Sequence, residues 1–363
     1  MAGRREREVI VVGLSGGVDS AVAALRLREQ GLEIEGLFMA NWEEDDAYCT
    51  ISSDYQDALA VCRELRIPLH RVDFAAEYRQ RVFDYFLTEY RAGRTPNPDV
   101  LCNREIKFGV CLEHVRRLGG TRFATGHYAR RIEGPKGVEL HKALDSTKDQ
   151  SYFLHSLEQS QLEAALFPLG ELTKLEVRER ARSAGLPVHD KPDSTGICFI
   201  GERPFREFLN QYIADTPGPI LTPDGERLGT HHGLAFYTLG QRGGLEIGGR
   251  AGYAEAAWYV AHKDVKRNTL IVVQGHDHPL LLSKTVTTGP AYWLIDTPIE
   301  PFEASVKLRY RQSDQRCRVS PLDQERLQIE CHDPQRAVTP GQFAVLYSDT
   351  RCLGGAVIDT AAA

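Results

Sequence analysis

The sequence predicts an α/β chain: a doubly wound parallel sheet first, then a small region rich in turn residues, then a β-rich tail. Three observations carry that expectation. Strand and helix patterns alternate from Val9 to His127, the composition shifts after about Gly201, and beyond Val272 the apolar segments are short and separated by turns. At roughly 100–200 residues per domain, 363 residues make two or three domains.

Val9-Ile10-Val11-Val12 is a continuous β-branched run, expected of a parallel strand covered on both faces. It runs into Gly13-Leu14-Ser15-Gly16-Gly17-Val18-Asp19-Ser20. Residues 21–30, rich in Ala, Leu and Arg, read as a helix that Gly31 stops. Residues 33–39 read as a strand, 54–65 as a helix and 67–74 as a strand. Phe123-Ala124-Thr125-Gly126-His127 fits a further strand and the loop at its carboxyl end. Such sheets bind ligands beyond the carboxyl ends of their strands. From 151 to 185 the pattern is helical, with Leu154, Leu157, Leu162, Ala165 and Leu166 at helical spacing.

Thr216-Pro217-Gly218-Pro219 and Thr222-Pro223-Asp224-Gly225 are turn chemistry. Six glycines in the thirteen positions 240–252 rule out a regular helix there. Strands are expected at 285–288, 304–308, 326–330, 343–347 and 355–358, spaced as in a small barrel or sandwich.

Composition narrows the function classes. The net charge of -6, from 44 basic and 50 acidic residues, argues against a protein that coats nucleic acid non-specifically and leaves room for a local basic patch. No run approaches the ~20 apolar residues of a membrane-spanning helix, and the opening Arg4, Arg5 and Arg7 interleave with Glu6 and Glu8, unlike a targeting peptide. The expectation is a soluble, cytoplasmic protein. Its eight cysteines (49, 62, 102, 111, 198, 317, 331 and 352) lie far apart without a C-x-x-C pair, so neither a disulfide scaffold nor a zinc site is expected.

The glycines of the first loop remove Cβ atoms, so backbone N–H groups can approach an anion, and the helix that follows adds unpaired donors and a positive dipole end. Ser15 and Ser20 add hydroxyls. The loop lacks the Gly-Lys-Ser/Thr ending of P-loop kinases and GTPases and the G-x-G-x-x-G of dinucleotide binders. Phosphate binding is the expectation.

Two cysteines have unusual surroundings. Cys102 follows the rigid, polar Thr95-Pro96-Asn97-Pro98-Asp99 and opens a segment that reads as helix. At a helix N-terminus, near Arg104 and Lys107, its thiol would have a lowered pKa. Asp99, three residues earlier, would face it on a helical turn, as proton carrier or as cap. Cys198 lies in Asp193-Ser194-Thr195-Gly196-Ile197-Cys198, a small polar loop entering an apolar run. The other six cysteines read as inert core residues. Lys307, Arg309, Arg311, Arg316 and Arg318 put five cations in twelve residues around Tyr310, suited to phosphate contact and stacking or to a solvated strand.

The pattern S-G-G-x-D-S resembles the loop of the ATP pyrophosphatase (PP-loop) enzymes. Six further motifs stand in order behind it: T-P-N-P-D-V-L-C-N (95–103), A-T-G-H-Y-A-R (124–130), K-D-Q-S-Y-F-L (148–154), D-S-T-G-I-C-F-I-G (193–201), Y-T-L-G-Q-R-G-G-L-E-I-G-G (237–249) and R-Y-R-Q (309–312). Together the seven resemble the bacterial tRNA-specific 2-thiouridylases along nearly the whole chain.

The resemblance implies a PP-loop domain (1–203), a small central domain (204–275) and a C-terminal β-barrel (276–363). It implies that residues 13–20, Met39 and Gly126 bind ATP, with Mg2+. Cys102 would be the nucleophile and Cys198 the carrier of persulfide sulfur, the two able to form a disulfide between turnovers. Asn97, Pro98 and Asp99 would meet the target base. His127, Lys148, Asp149, Gln150, Arg309, Tyr310 and Gln342 would contact tRNA. The implied reaction is ATP-dependent sulfur transfer to C2 of the wobble uridine, with a sulfur-relay protein or a cysteine desulfurase as donor. No resident metal is expected. Two other readings of the same loop are an amide-forming PP-loop ligase, which needs no thiol pair, and a non-catalytic tRNA-binding module.

Overall fold

The computed structural model describes residues 9–42, 51–193, 204–248, 252–323 and 325–363. β1 (Val9–Gly13), β2 (Ile34–Ala40), β3 (Leu69–Asp73) and β4 (Gly120–Ala124) are parallel; a hairpin of β5 (Ala129–Gly134) and β6 (Gly137–Lys142) then leaves the sheet, and β7 (Ala165–Leu166) returns to its edge. The order is β3-β2-β1-β4-β7, so the winding reverses between β1 and β4 and a crevice opens beyond their carboxyl ends.

Both faces of this sheet are covered, which is why β1 is apolar throughout. On one side α1 (Val18–Glu29) turns Val18, Ala21, Val22 and Leu25 towards Leu172, Val177 and Ala181. On the other, Val11, Leu37 and Phe123 pack with Phe83, Phe86, Phe108 and Trp42. α2 (Ile51–Leu65) closes over β2 through Ala58, Val61 and Cys62. α1 starts three residues before the expected helix because Gly17, extended at φ -97° and ψ 163°, is its N-cap. β3 is shorter than 67–74: the Ile67 N–H is taken by Cys62 O at 3.0 Å, and Pro68 has no N–H to give.

The segment 151–185 corrects its expectation. It is a 3-10 turn (Ser151–Leu154), a short helix (Gln159–Ala164), β7 and a helix (Lys174–Ser183). Ala165 and Leu166 pair with Phe123 and Ala124 at the open edge of β4, so sheet pairing overrides helical periodicity. Pro168 and Gly170 then keep the chain from resuming a helix at once; a Cβ on Gly170 would lie 2.0 Å from Ala129 O.

The central region holds β8 (Gly218–Leu221), β9 (Arg227–His231), β10 (Trp258–Asp264) and β11 (Thr269–Gln274), ordered β10-β11-β8-β9 around Ile220, Leu228, Tyr237, Trp258 and Val272. Its Thr222-Pro223-Asp224-Gly225 segment is the β8–β9 hairpin turn, with Gly225 at φ +89°.

Six strands form the tail: β12 (Leu282–Trp293), β13 (Phe302–Lys307), β14 (Gln315–Pro321), β15 (Arg326–Arg336), β16 (Phe343–Ser348) and β17 (Arg351–Ala362). They follow the order β12-β15-β14-β13-β16-β17, and β17 pairs back to β12, so the structure is a closed barrel and not a sandwich. Val286, Val306, Val319, Ile329 and Leu346 fill its interior. β14, absent from the expected strands, alternates exposed Arg316 and Arg318 with buried Cys317 and Val319. The β5–β6 hairpin of the first sheet's domain joins this barrel, Arg351 pairing with His141 and Lys142 N–H donating to Thr350 O at 2.8 Å.

Candidate active site

At the switch point the loop between β1 and α1 is shaped by absent side chains. Gly16 has φ +76°, and a Cβ there would meet Asp54 O at 2.4 Å. A Cβ on Gly126, in the loop after β4, would lie 2.7 Å from Ser20 N, so the two loops touch backbone to backbone. Ser15 N–H donates to Ser20 Oγ (3.2 Å), and that hydroxyl donates to Gly17 O (3.0 Å). Leu14 and Val18 are buried, so they face the core and leave the loop's backbone to the crevice. Met39 stands next to the end of β2, two residues past the last pairing with β1 (Gly13 with Leu37) and opposite Val72 of β3. The amino end of α1 opens onto this concavity, a setting suited to an anion.

A charged network rims the loop. Asp19 accepts from Tyr128 Oη at 2.8 Å and from Lys174 Nζ at 2.6 and 2.8 Å on its two oxygens. Lys174 also reaches Asp193 at 2.7 Å, which further binds Lys148 (2.7 Å) and Arg178 (2.6 Å). Partial burial works to raise the pKa of Asp193, but the ammoniums of Lys148 and Lys174 outweigh it and hold the carboxyl near 2. Two residues earlier, Lys191 binds Asp54 (2.7 Å) and Asp57 (2.5 Å) at the start of α2. Sequence reasoning missed Lys174, Arg178, Lys191 and Tyr128. Lys174 sits in an ordinary capping box, Thr173 with Glu176, and nothing local marks it.

Cys102 is placed differently from its expectation. The helix starts at Pro98, capped by Asn97, whose Oδ1 accepts from Asp99 N–H at 3.1 Å. Cys102 therefore lies one turn inside, at the start of a wider π-wound stretch (Cys102–Val110), and is fully buried. Asn97 and not Asp99 is the cap, and Asp99 shares a helical face with Cys102 three residues on. Arg104 turns to the barrel, its guanidinium 4.1 Å over the Tyr292 ring. Phe108 brings the helix to the β4 end: its ring is 5.8 Å from Phe123 and 6.2 Å from His127. His127 Nδ1 is 2.8 Å from Thr125 Oγ1, and burial, helped by Lys107, pushes its pKa well below the usual value, so the imidazole is neutral.

Cys198 and Cys49 lie outside the described residues; Asp193 is the last one described before Cys198. Cys62, Cys317 and Cys352 are buried free thiols pushed up to about 12, and Cys331 to about 11, so they are unreactive.

The root of the Cys102 helix is a junction of the three regions. Thr95 N–H donates to Pro340 O (2.9 Å), Thr95 O accepts from Gln342 Nε2 (2.8 Å), and Thr95 Oγ1 lies 3.5 Å from Thr238 Oγ1. The residues expected at tRNA are built into the same framework. Gln150 accepts from Tyr128 N–H at 3.0 Å. Buried Asp149 accepts from Ala143 and Ser151 N–H and from Lys307 Nζ at 3.3 Å. Arg309 Nη2 donates to the carbonyls of Arg336 and Ala337. The basic run is thus divided: Lys307 and Arg309 are engaged inside, while Arg311, Arg316 and Arg318 are exposed. The Tyr310 ring lies tilted against Phe153 at 4.3 Å, and Phe153 O accepts from Asn103 Nδ2 at 3.2 Å, so this tyrosine stands beside the Cys102 helix. Among the described residues no three His, Cys, Asp or Glu side chains gather as a metal site, and no helix is long and apolar enough to cross a membrane.

Comparison with known proteins covers all three regions. Residues 8–202 match a family model described as a tRNA methyl transferase HUP domain, 206–274 a tRNA methyl transferase PRC-barrel domain, and 283–358 an aminomethyltransferase beta-barrel domain. The tRNA-specific 2-thiouridylase MnmA of Legionella pneumophila is 54% identical over 354 residues, spanning 96% of this chain and 98% of its own. That of Bordetella pertussis is 56% identical over 360 residues (96% and 97%), and that of Cupriavidus pinatubonensis 54% over 365 (99% and 100%). This chain belongs to the tRNA-specific 2-thiouridylase (MnmA) family.

Proposed function

We propose that the chain is a tRNA-uridine 2-sulfurtransferase that consumes ATP to replace the C2 oxygen of the wobble uridine with sulfur. The observation that carries this reading is the meeting of two parts: through Phe108, the helix that bears Cys102 leans on the strand end whose Gly126 closes the glycine loop. The helix that carries this buried thiol is thus packed against the strand end that bounds the anion-binding loop, and that proximity supports the reading. The matched family models are described by methyl transfer, but methyl transfer needs no pyrophosphate cradle, which favours adenylation here.

The C2 oxygen of uridine is urea-like and a poor leaving group. Transfer of AMP from ATP to that oxygen makes it a good one and releases pyrophosphate. Residues 13–20, Met39 and Gly126 hold ATP; the backbone donors and the α1 dipole stabilise the charge that builds on the departing pyrophosphate. Mg2+ would enter on the phosphates. Asn97, Pro98 and Asp99 present the base, with Tyr310 beside them, and Asp99 moves the proton at the base. His127, Lys148, Asp149, Gln150, Arg309 and Gln342 hold the tRNA directly or through the framework described above.

Sulfur arrives as a persulfide on Cys198, loaded by a relay protein or a cysteine desulfurase. Its terminal sulfur attacks C2 and AMP leaves. Cys102 thiolate then attacks Cys198 Sγ, so the S–S bond breaks, the outer sulfur stays on the base and a Cys102–Cys198 disulfide forms, to be reduced before the next turnover. Release of hydrosulfide ahead of the attack gives the same products. The boundaries 1–203, 204–275 and 276–363 separate the adenylating, central and barrel parts of this machine.

The test is mass spectrometry of tRNA incubated with the protein, ATP and a sulfur source. An oxygen-to-sulfur exchange at one uridine is expected, and Cys198→Ala should abolish it while ATP and tRNA still bind. Full activity of Cys102→Ser and Cys198→Ser would favour an amide-forming ligase instead. Measurable tRNA-dependent ATP–pyrophosphate exchange would reject a non-catalytic binding module.

A further inference from the structure

Asp149 is one of the residues expected at tRNA, yet its carboxylate is buried and spent within the protein. One oxygen accepts from Ala143 N–H at 3.1 Å and Ser151 N–H at 3.2 Å. The other accepts from Ser151 Oγ at 3.1 Å and Lys307 Nζ at 3.3 Å. Ser151 Oγ also lies 3.1 Å from Tyr347 Oη; the serine proton is given to Asp149, so the tyrosine donates to the serine.

This cluster crosses between domains. Asp149 and Ser151 follow the β5–β6 hairpin, while Lys307 ends β13 and Tyr347 lies on β16 of the barrel. Phe343, Val345 and Tyr347 of β16 share one apolar core with Tyr152 and Leu154. Buried in that seam, Lys307 has Asp149 as its one ion-pair partner among the described residues. A buried ion pair is seldom more stabilising than an apolar pair of the same volume, so stability does not account for it. Its direction does. Phe153 lies four residues beyond Asp149 and Tyr310 three beyond Lys307; their rings meet at 4.3 Å, and Phe153 O accepts from Asn103 on the Cys102 helix. The pair thus joins the roots of two short segments that meet again beside the thiol. Tyr310 registers both ends: burial first, then Asp149, with Asp99 adding and Arg311 opposing, raises its pKa.

We propose that Asp149 is a positioning residue: paired with Lys307, it locks the barrel's Tyr310 in register with Phe153 and the Cys102 helix. It then acts on the target nucleotide through that ring and not by touching RNA. The proposal rests on the thiolation reading above and deepens it.

The experiment combines tRNA thiolation kinetics, tRNA binding and thermal melts of the full chain. D149N and K307M should each lower kcat by about 10- to 100-fold, the scale of a small misplacement, and leave the Kd for tRNA within about threefold. D149N/K307M strands neither charge, so its Tm should return towards the wild type while kcat stays low. Y310A should lower kcat by itself, and D149N added to it should cost no more than about twofold further. The proposal is overturned if D149N weakens tRNA binding as much as it lowers kcat, or if kcat recovers with Tm in the double variant. Unchanged kcat in Y310A, or full additivity of Y310A with D149N, would overturn it too. If the wild type thiolates no tRNA, it is the thiolation reading that fails. Where D149N does not fold, K307M, which leaves Asp149 its three other donors, carries the comparison with Y310A.

Discussion

Gly126 has no side chain, and that is what lets the β4 loop rest on the first turn of α1. A Cβ there would sit 2.7 Å from Ser20 N, with the backbone of Asp19 and Ser20 on the far side, so one loop must shift. Gly126→Ala should lower stability by about 1–3 kcal/mol, as overpacking does, and weaken ATP binding at least about 10-fold. Denaturant melts and calorimetry check the two effects. The glycines were legible in the sequence because a strand, a G-G pair and a helix follow one another locally. Lys174 was not, because only the folded chain brings it to Asp19, 155 positions away. Cys102 lies between these cases. Its polar, proline-rich setting marked it, but one of the two cations that sequence offered it, Arg104, lies over a barrel tyrosine instead.

At the scale of elements, the helix beginning at Pro98 shows how one cap sets the position of a thiol. Asn97 accepts the Asp99 N–H and fixes where the first turn starts; Pro98 at N1 then supplies a preset φ. Asp99 and Cys102 share a face only in that register. Asn97→Ala should cost about 1 kcal/mol in stability. Asn97→Asp or Asn97→Ser, which keep a cap, should recover it, and thermal melts of the three variants decide. Sequence signals served well where local chemistry terminates an element, as at Gly31 and Gly225, but the expected strand 67–74 ran through Pro68, which β3 excludes. They failed in 151–185, where an unpaired sheet edge recruits Ala165 and Leu166 out of a helical pattern. β14 is not among the expected strands, although a solvated strand is one of the two readings of its basic run, because its exposed face is made of arginines.

Across the whole molecule, the seam between the first domain and the barrel is lined by His155. It packs 5.0 Å from the Phe343 ring, and its Nδ1 donates to Tyr152 O at 2.7 Å. Burial pushes its pKa from the ordinary 6.5 to about 4, with Arg104 acting in the same direction and the Tyr152 carbonyl against it. The unfolded chain takes up this proton near 6.5 and the folded chain only near 4. Stability contributed by the neutral ring is thus fully present above about pH 6.5 and falls as pH drops through that window, by up to about 3 kcal/mol from this residue. His127 shifts in the same direction. Denaturant melts between pH 7.5 and 4 should show the loss, and His155→Gln should flatten it. None of this seam was legible: residues 95 and 342, or 152 and 343, have no local pattern in common.

The β5–β6 hairpin gives the molecule an unusual order of assembly. Its outer strand is completed by β17, 210 positions further along, at the pairing of His141 with Arg351. During synthesis the first domain leaves the ribosome with an open strand edge that nothing nearby can cover. Until β17 emerges, that edge is a place for a chaperone or for a neighbouring nascent chain, and a message cut short before its codons would yield a polypeptide prone to clump.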